Sequence, residues 1–108
     1  MSTTEQDGRT IVTVAGELDV HTAPQLDAQL SPLTRTAEPS IIVDLTDVKF
    51  IDSTGLGILV TALKHVRENE GKLNVVVTTP RVLRVFALTG LDVVIPLHAT
   101  LEEALSAS

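Results

Sequence analysis

A chain of 108 residues with 44% hydrophobic content folds around one core but not two, and its net charge of −6, with a pI near 4.8, opposes direct binding to nucleic acid, which relies on a basic patch. The absence of cysteine excludes a disulfide framework and thiolate chemistry, and the three His stand apart without metal-ligand spacing. The N-terminus is polar and no apolar run approaches the ~18 residues of a membrane span, so the expectation is a cytoplasmic chain whose partner is protein.

In chain order, residues 1–8 are polar and read as a frayed start or a weak edge strand of a single domain over 1–108. Residues 10–14 are rich in β-branched side chains and predict a strand ending at Gly16, followed by a loop, Glu17-Leu18-Asp19-Val20-His21, whose acidic pair is solvated. Thr22 is placed to cap a helix with Pro24 in its first turn and Leu26, Leu30 and Leu33 at helical spacing. Pro32 should end that helix near Leu30 or kink it, because a proline inside a helix costs about 3 kcal/mol.

Residues 41–45 form a nearly continuous apolar run, as in a parallel strand covered on both faces. Asp44 interrupts it, and reaching the sheet edge or bonding to the next turn is favoured over a role as phosphoacceptor or metal ligand. Asp52 suits an N-cap, so Ser53 and Thr54 fall at the first helical positions, where N–H groups lack partners and the macrodipole is positive. A phosphate there is stabilised. Gly55 and Gly57 each cost roughly 1 kcal/mol against Ala, which implies tight packing on the sheet or close approach of a partner. Leu56, Leu59, Val60, Leu63 and Val66 share one stripe of this helix, Gly71 stops it, and Ile58 lies off the stripe as an exposed candidate for partner contact.

Residues 73–78 predict a strand, and Thr79-Pro80 opens a short helix carrying Val82, Leu83, Val85 and Phe86, closed by Gly90 with Leu91 as its apolar latch. Arg81 and Arg84 share a face of it, available to solvent, an acidic partner or a phosphate. Residues 93–95 suggest a brief strand, and Thr100 with Glu103 forms a capping box for a last helix through Leu105. This alternation implies an α/β layer: a small, mostly parallel sheet packed with about four helices.

Four landmarks occur in order: Gly16-Glu17-Leu18-Asp19, Val43-Asp44-Leu45 leading to Phe50, Asp52-Ser53-Thr54-Gly55-Leu56-Gly57, and Phe86-Ala87-Leu88-Thr89-Gly90-Leu91. Together they resemble the bacterial anti-sigma factor antagonists, proteins of the STAS domain family, over nearly the whole chain. The resemblance implies a binding module and not an enzyme. In that family the unmodified protein binds an anti-sigma factor that is itself a serine kinase, which releases a sigma factor, and phosphorylation ends the binding. It further implies that Ser53 (less readily Thr54) is the phosphoacceptor, that Asp52 caps the helix and shapes kinase recognition, that Asp19 lines the site, and that Gly55 and Gly57 let the kinase close on it. No cofactor or metal is expected on this chain, since ATP and Mg²⁺ belong to the kinase. A phosphoserine phosphatase is a further possible partner. The alternative within the family is a partner of a membrane transporter or a component of a sensory scaffold.

Two other classes fit less well. A hydrolase elbow, Gly-x-Ser-x-Gly, needs glycine where Ile51 stands and a base that His21, His65 and His98 are not placed to supply. A receiver-type phosphoacceptor at Asp44 needs a late lysine, and none follows Leu73.

Overall fold

In the computed structural model, which describes residues 1–107, ten elements follow in chain order. They are β1 (Ser2–Gln6), β2 (Arg9–Leu18), α1 (Ala23–Thr34), β3 (Ser40–Ile51), α2 (Ser53–Glu68), β4 (Lys72–Val76), α3 (Pro80–Thr89), α4 (Leu91–Val94), β5 (Leu97–His98) and α5 (Leu101–Ser106). The strands lie side by side in chain order, β1 antiparallel to β2 and all later pairs parallel. Parallel neighbours need a crossover, and crossovers of one hand place α1, α2 and α3 on the same face of the sheet.

The main core lies between that face and the three helices. Val12, Val14 and Leu18 of β2 and Val43, Leu45, Val48 and Ile51 of β3 meet Leu26 and Leu30 of α1, Leu59, Leu63 and Val66 of α2, and Val82 and Phe86 of α3. On the opposite face α5 covers a smaller group, Ala104 over Ile11, Ile42 and Val76. Thus β3 is buried on both faces at its start, as its apolar run predicts, and Asp44 bonds to the next turn by accepting from the N–H and the hydroxyl of Thr46.

Several local expectations are corrected by packing. Of the two readings of residues 1–8 the edge strand holds, not the frayed start: β1 pairs with β2 in a hairpin, Thr4 facing Ile11 across it. Strand β2 does not end at Gly16 but runs to Leu18, because β3 continues beside it to Ile51. Helix α1 passes through Pro32 to Thr34. Pro32 and Ala28, whose carbonyl loses its donor, are both exposed, so solvent replaces the missing bond, while buried Leu30 and Thr34 hold the last turn down. Thr22 begins α1 without a side-chain cap. Thr79 likewise begins α3 without one, its hydroxyl donating instead to the Val48 carbonyl at 2.9 Å. The strand expected at 93–95 is the one-turn helix α4, and the ladder is completed by Leu97 and His98. Half of the capping box of α5 is as expected: Glu103 N–H donates to the Thr100 hydroxyl, but the Glu103 carboxylate accepts from the N–H of Ala99, one residue before the cap, in place of that of Thr100.

The stripe on α2 is rotated toward α1. Ala62 is buried, and Ile58, expected to stand exposed, is half-buried and packs against the core, whereas Val60 is 40% exposed. Helical periodicity gives the width of an apolar stripe, but the neighbouring helix decides where its edges fall.

Candidate functional site

The exposed end of α2 is built by three contacts. Asp52 takes an extended conformation (φ −111°, ψ −176°), and its carboxylate accepts from Gly55 N–H at 3.0 Å, the N-cap expected from its side chain. Its own N–H donates to the Leu18 carbonyl at 3.1 Å, and its carbonyl accepts from Leu56 N–H. The cap therefore hangs from the end of β2 as much as it begins α2. Ser53 and Thr54 follow it, both exposed, at positions whose N–H groups have no intrahelical acceptor.

The two glycines of this turn do different things. Gly55 is buried, and a Cβ there would lie 2.8 Å from Leu18 Cγ and 2.9 Å from the Leu18 carbonyl oxygen. It is glycine because β2 passes directly over it, the tight packing on the sheet that was one of the two expectations for it. Gly57 is exposed, with nothing within 4 Å of a Cβ placed on it. No packing demands glycine there, although it costs roughly 1 kcal/mol against Ala.

Asp19 follows Leu18 and so stands beside the cap. Its Oδ1 accepts from His21 N–H at 2.9 Å and Thr22 N–H at 3.1 Å. The His21 N–H, chiefly, holds this carboxyl below its ordinary range; desolvation opposes the shift, and Thr22 and the nearby His21 ring assist it. The Thr22 hydroxyl locks the turn, accepting from Asp19 N–H at 2.9 Å and donating to the Glu17 carbonyl at 2.8 Å. Asp19 is thus a fixed anion and not a freely solvated one.

Of the residues expected at the site, Asp19, Asp52, Ser53, Thr54 and Gly57 gather around the end of α2, while Gly55 lies beneath it and Ile58 turns away into the seam with α1. Leu18, which joins β2 to the cap by both its carbonyl and its side chain, was not foreseen. An apolar residue beside an acidic one at a strand end was the available signal, but nothing local distinguishes an anchor from an ordinary core leucine. Among the described residues no cluster of His, Asp or Glu is arranged to hold a metal. Nor, among these residues, is any helix long and apolar enough to cross a membrane.

Replacing the cap tests this construction. Asp52→Ala is expected to lower stability by about 1 kcal/mol, measured as a fall in denaturant midpoint with unchanged slope. An unchanged midpoint would mean that the bond to Gly55 contributes nothing.

Comparison with known proteins gives consistent likenesses. The family model described as STAS domain matches residues 1–104. The chain is 41% identical over 91 residues to an anti-sigma-B factor antagonist of Staphylococcus aureus, covering 84% of each chain. It superimposes on the crystal structure of an anti-sigma factor antagonist from Mycobacterium paratuberculosis with a TM-score of 0.89 at 36% identity, covering 98% of this chain and 90% of that one. It also resembles the phosphorylated form of the Bacillus cell fate determinant SpoIIAA, with a TM-score of 0.72, 27% identity and 97% coverage of both chains.

Proposed function

The chain belongs to the STAS domain family, and from that premise we propose that it is an anti-sigma factor antagonist switched by phosphorylation of Ser53. In its unmodified form it binds an anti-sigma factor that is also a serine kinase, and so releases a sigma factor. Phosphorylation ends the binding, and a phosphatase restores it. The observation that carries this reading is the exposed hydroxyl of Ser53 at the Asp52-capped start of α2. A phosphate there would meet the positive end of the helix dipole.

Each neighbouring residue has a role in this reading. Asp52 fixes the turn on which the kinase acts. Asp19 sets a negative charge beside it, and Gly57 offers bare backbone on the side that a partner approaches. Thr54 lies one step, about 100°, further round the helix and is the poorer acceptor. The kinase brings ATP and Mg²⁺ and performs the transfer; this chain supplies a positioned hydroxyl.

Incubation with the cognate kinase and labelled ATP, followed by peptide mapping, is expected to place the label on Ser53. Ser53→Ala should lose the label, keep its melting temperature and still bind the kinase, since exposed substitutions away from caps change stability by less than about 0.5 kcal/mol. Dominant labelling of Thr54, or undiminished labelling of Ser53→Ala, would overturn the assignment.

A further inference from the structure

Just before the cap, the register of β3 against β2 shifts. Gly16 faces Val48 and Glu17 faces Phe50, so Lys49 is an extra residue on β3. A strand normally turns successive side chains to opposite faces, but this bulge leaves Lys49 and Phe50 both exposed between buried Val48 and Ile51. Phe50 is 40% exposed, whereas Phe86, the only other aromatic in the sequence, is fully buried. With Gly16, Glu17 and Arg81 these two residues line a cleft of about 560 Å³. Two of the eight Lys and Arg residues of an acidic chain therefore flank its one exposed aromatic ring, three positions from Ser53.

Resting on the reading of Ser53 as the kinase's target, we propose that this cleft is the anchoring subsite for the anti-sigma factor kinase. An apolar side chain of the partner packs on Phe50, and acidic residues around it face Lys49 and Arg81. Two observations favour this occupant. Phe50 stands three residues before Ser53, on the strand that leads into the turn carrying it, so a kinase that reaches the hydroxyl is brought beside the cleft. Its lining sets Lys49 and Arg81 against the single carboxylate of Glu17, a net positive charge on an acidic chain, which favours an acidic partner surface and raises the association rate. Exposed aromatic and Arg side chains of this kind dominate binding energy at protein interfaces. Bulge and cleft thus decide which kinase is bound, while the hydroxyl decides when it is released.

The test measures affinity by calorimetry for the purified anti-sigma factor kinases of the source organism, with ADP bound, using Phe50→Ala and Arg81→Glu. Both should weaken binding by about tenfold or more. The Arg81→Glu effect should shrink as salt is added, and the Phe50→Ala effect should not. In Ser53 labelling both variants should raise KM for this chain and leave kcat unchanged, which a mere distortion of the Ser53 turn would not do. Should Phe50→Ala melt early, Arg81→Glu, at an exposed helix position, keeps the question open to decision. Affinities within twofold of wild type for both variants, with wild type binding and being labelled, would overturn the subsite alone. Failure of wild type to bind any of the kinases would overturn the proposed function and the subsite together. Concentration-dependent dimerisation of the isolated chain that disappears in Phe50→Ala would assign the cleft to a second copy instead.

Discussion

Phosphorylated protein is expected to bind the kinase at least about a hundredfold more weakly than unmodified protein, because like charges brought together at an interface cost several kcal/mol and each 1.4 kcal/mol is tenfold in affinity. The added group carries about −1.5 to −2 charges at neutral pH. It would sit on an exposed position next to Asp52, whose N–H is bonded to the residue before Asp19, and Asp19 is held ionised by its hydrogen bonds. The turn itself has little reason to move: Asp52 is bonded to Gly55 on one side and Leu18 on the other, and the helix end stabilises negative charge. The switch is therefore a surface event. Repulsion at a wet rim is screened over about 8 Å at physiological ionic strength, while steric exclusion is not. Calorimetry across a salt series separates the two. An affinity gap that narrows as salt rises supports repulsion; a gap that stays constant means the phosphate acts by bulk.

The largest loss of stability is expected far from this site, at Gly71→Ala. A Cβ at Gly71 would lie 2.2 Å from the Pro39 carbonyl oxygen and 2.5 Å from Pro39 Cδ. That same carbonyl accepts from Lys72 N–H at 2.7 Å, at the point where β3 and β4 begin to pair, Ser40 facing Lys72. The neighbours are backbone and a proline ring, so neither can turn aside as a flexible side chain could. Overpacking of this kind costs about 1–3 kcal/mol, and loss of the hydrogen bond adds about 1 kcal/mol. Together they correspond to a fall in melting temperature of roughly 10–20 °C for a domain of this size. A variant melting within 2 °C of wild type would mean that the 35–40 segment gives way freely. Phosphorylation of Ser53, at the other end of α2, should be unaffected at a temperature where the variant is folded.

Gly71 also illustrates what a sequence hides. As a glycine after a helical pattern it reads as the helix stop, yet the left-handed residue there is Glu70, with φ 58°, and Gly71 closes the turn by donating from its N–H to the Val66 carbonyl. Its identity is set by Pro39, not by the helix it follows. Gly55 follows the same logic under Leu18. In both cases the residue type was legible as a requirement, and the cause lay in a segment distant along the chain.

The sequence by itself determined what depends on a few neighbouring residues: the alternation of strands and helices, the Asp52 cap, the Gly90 closure of α3, the Thr100 cap of α5, and the ordered landmarks that mark the family and place Ser53 at a helix start. These are matters of periodicity and local hydrogen bonding, which a short stretch specifies alone. Tertiary structure decided the rest. Pairing with β3 carried β2 through Gly16 to Leu18, and α1 rotated the buried stripe of α2, drawing Ile58 in and leaving Val60 out. Val48 took the hydroxyl of Thr79, and the bulge at Lys49 turned Phe50 to the surface. Each depends on which distant segment arrives alongside, and on the space and unpaired backbone groups that segment brings, quantities that exist only once the chain has closed on itself.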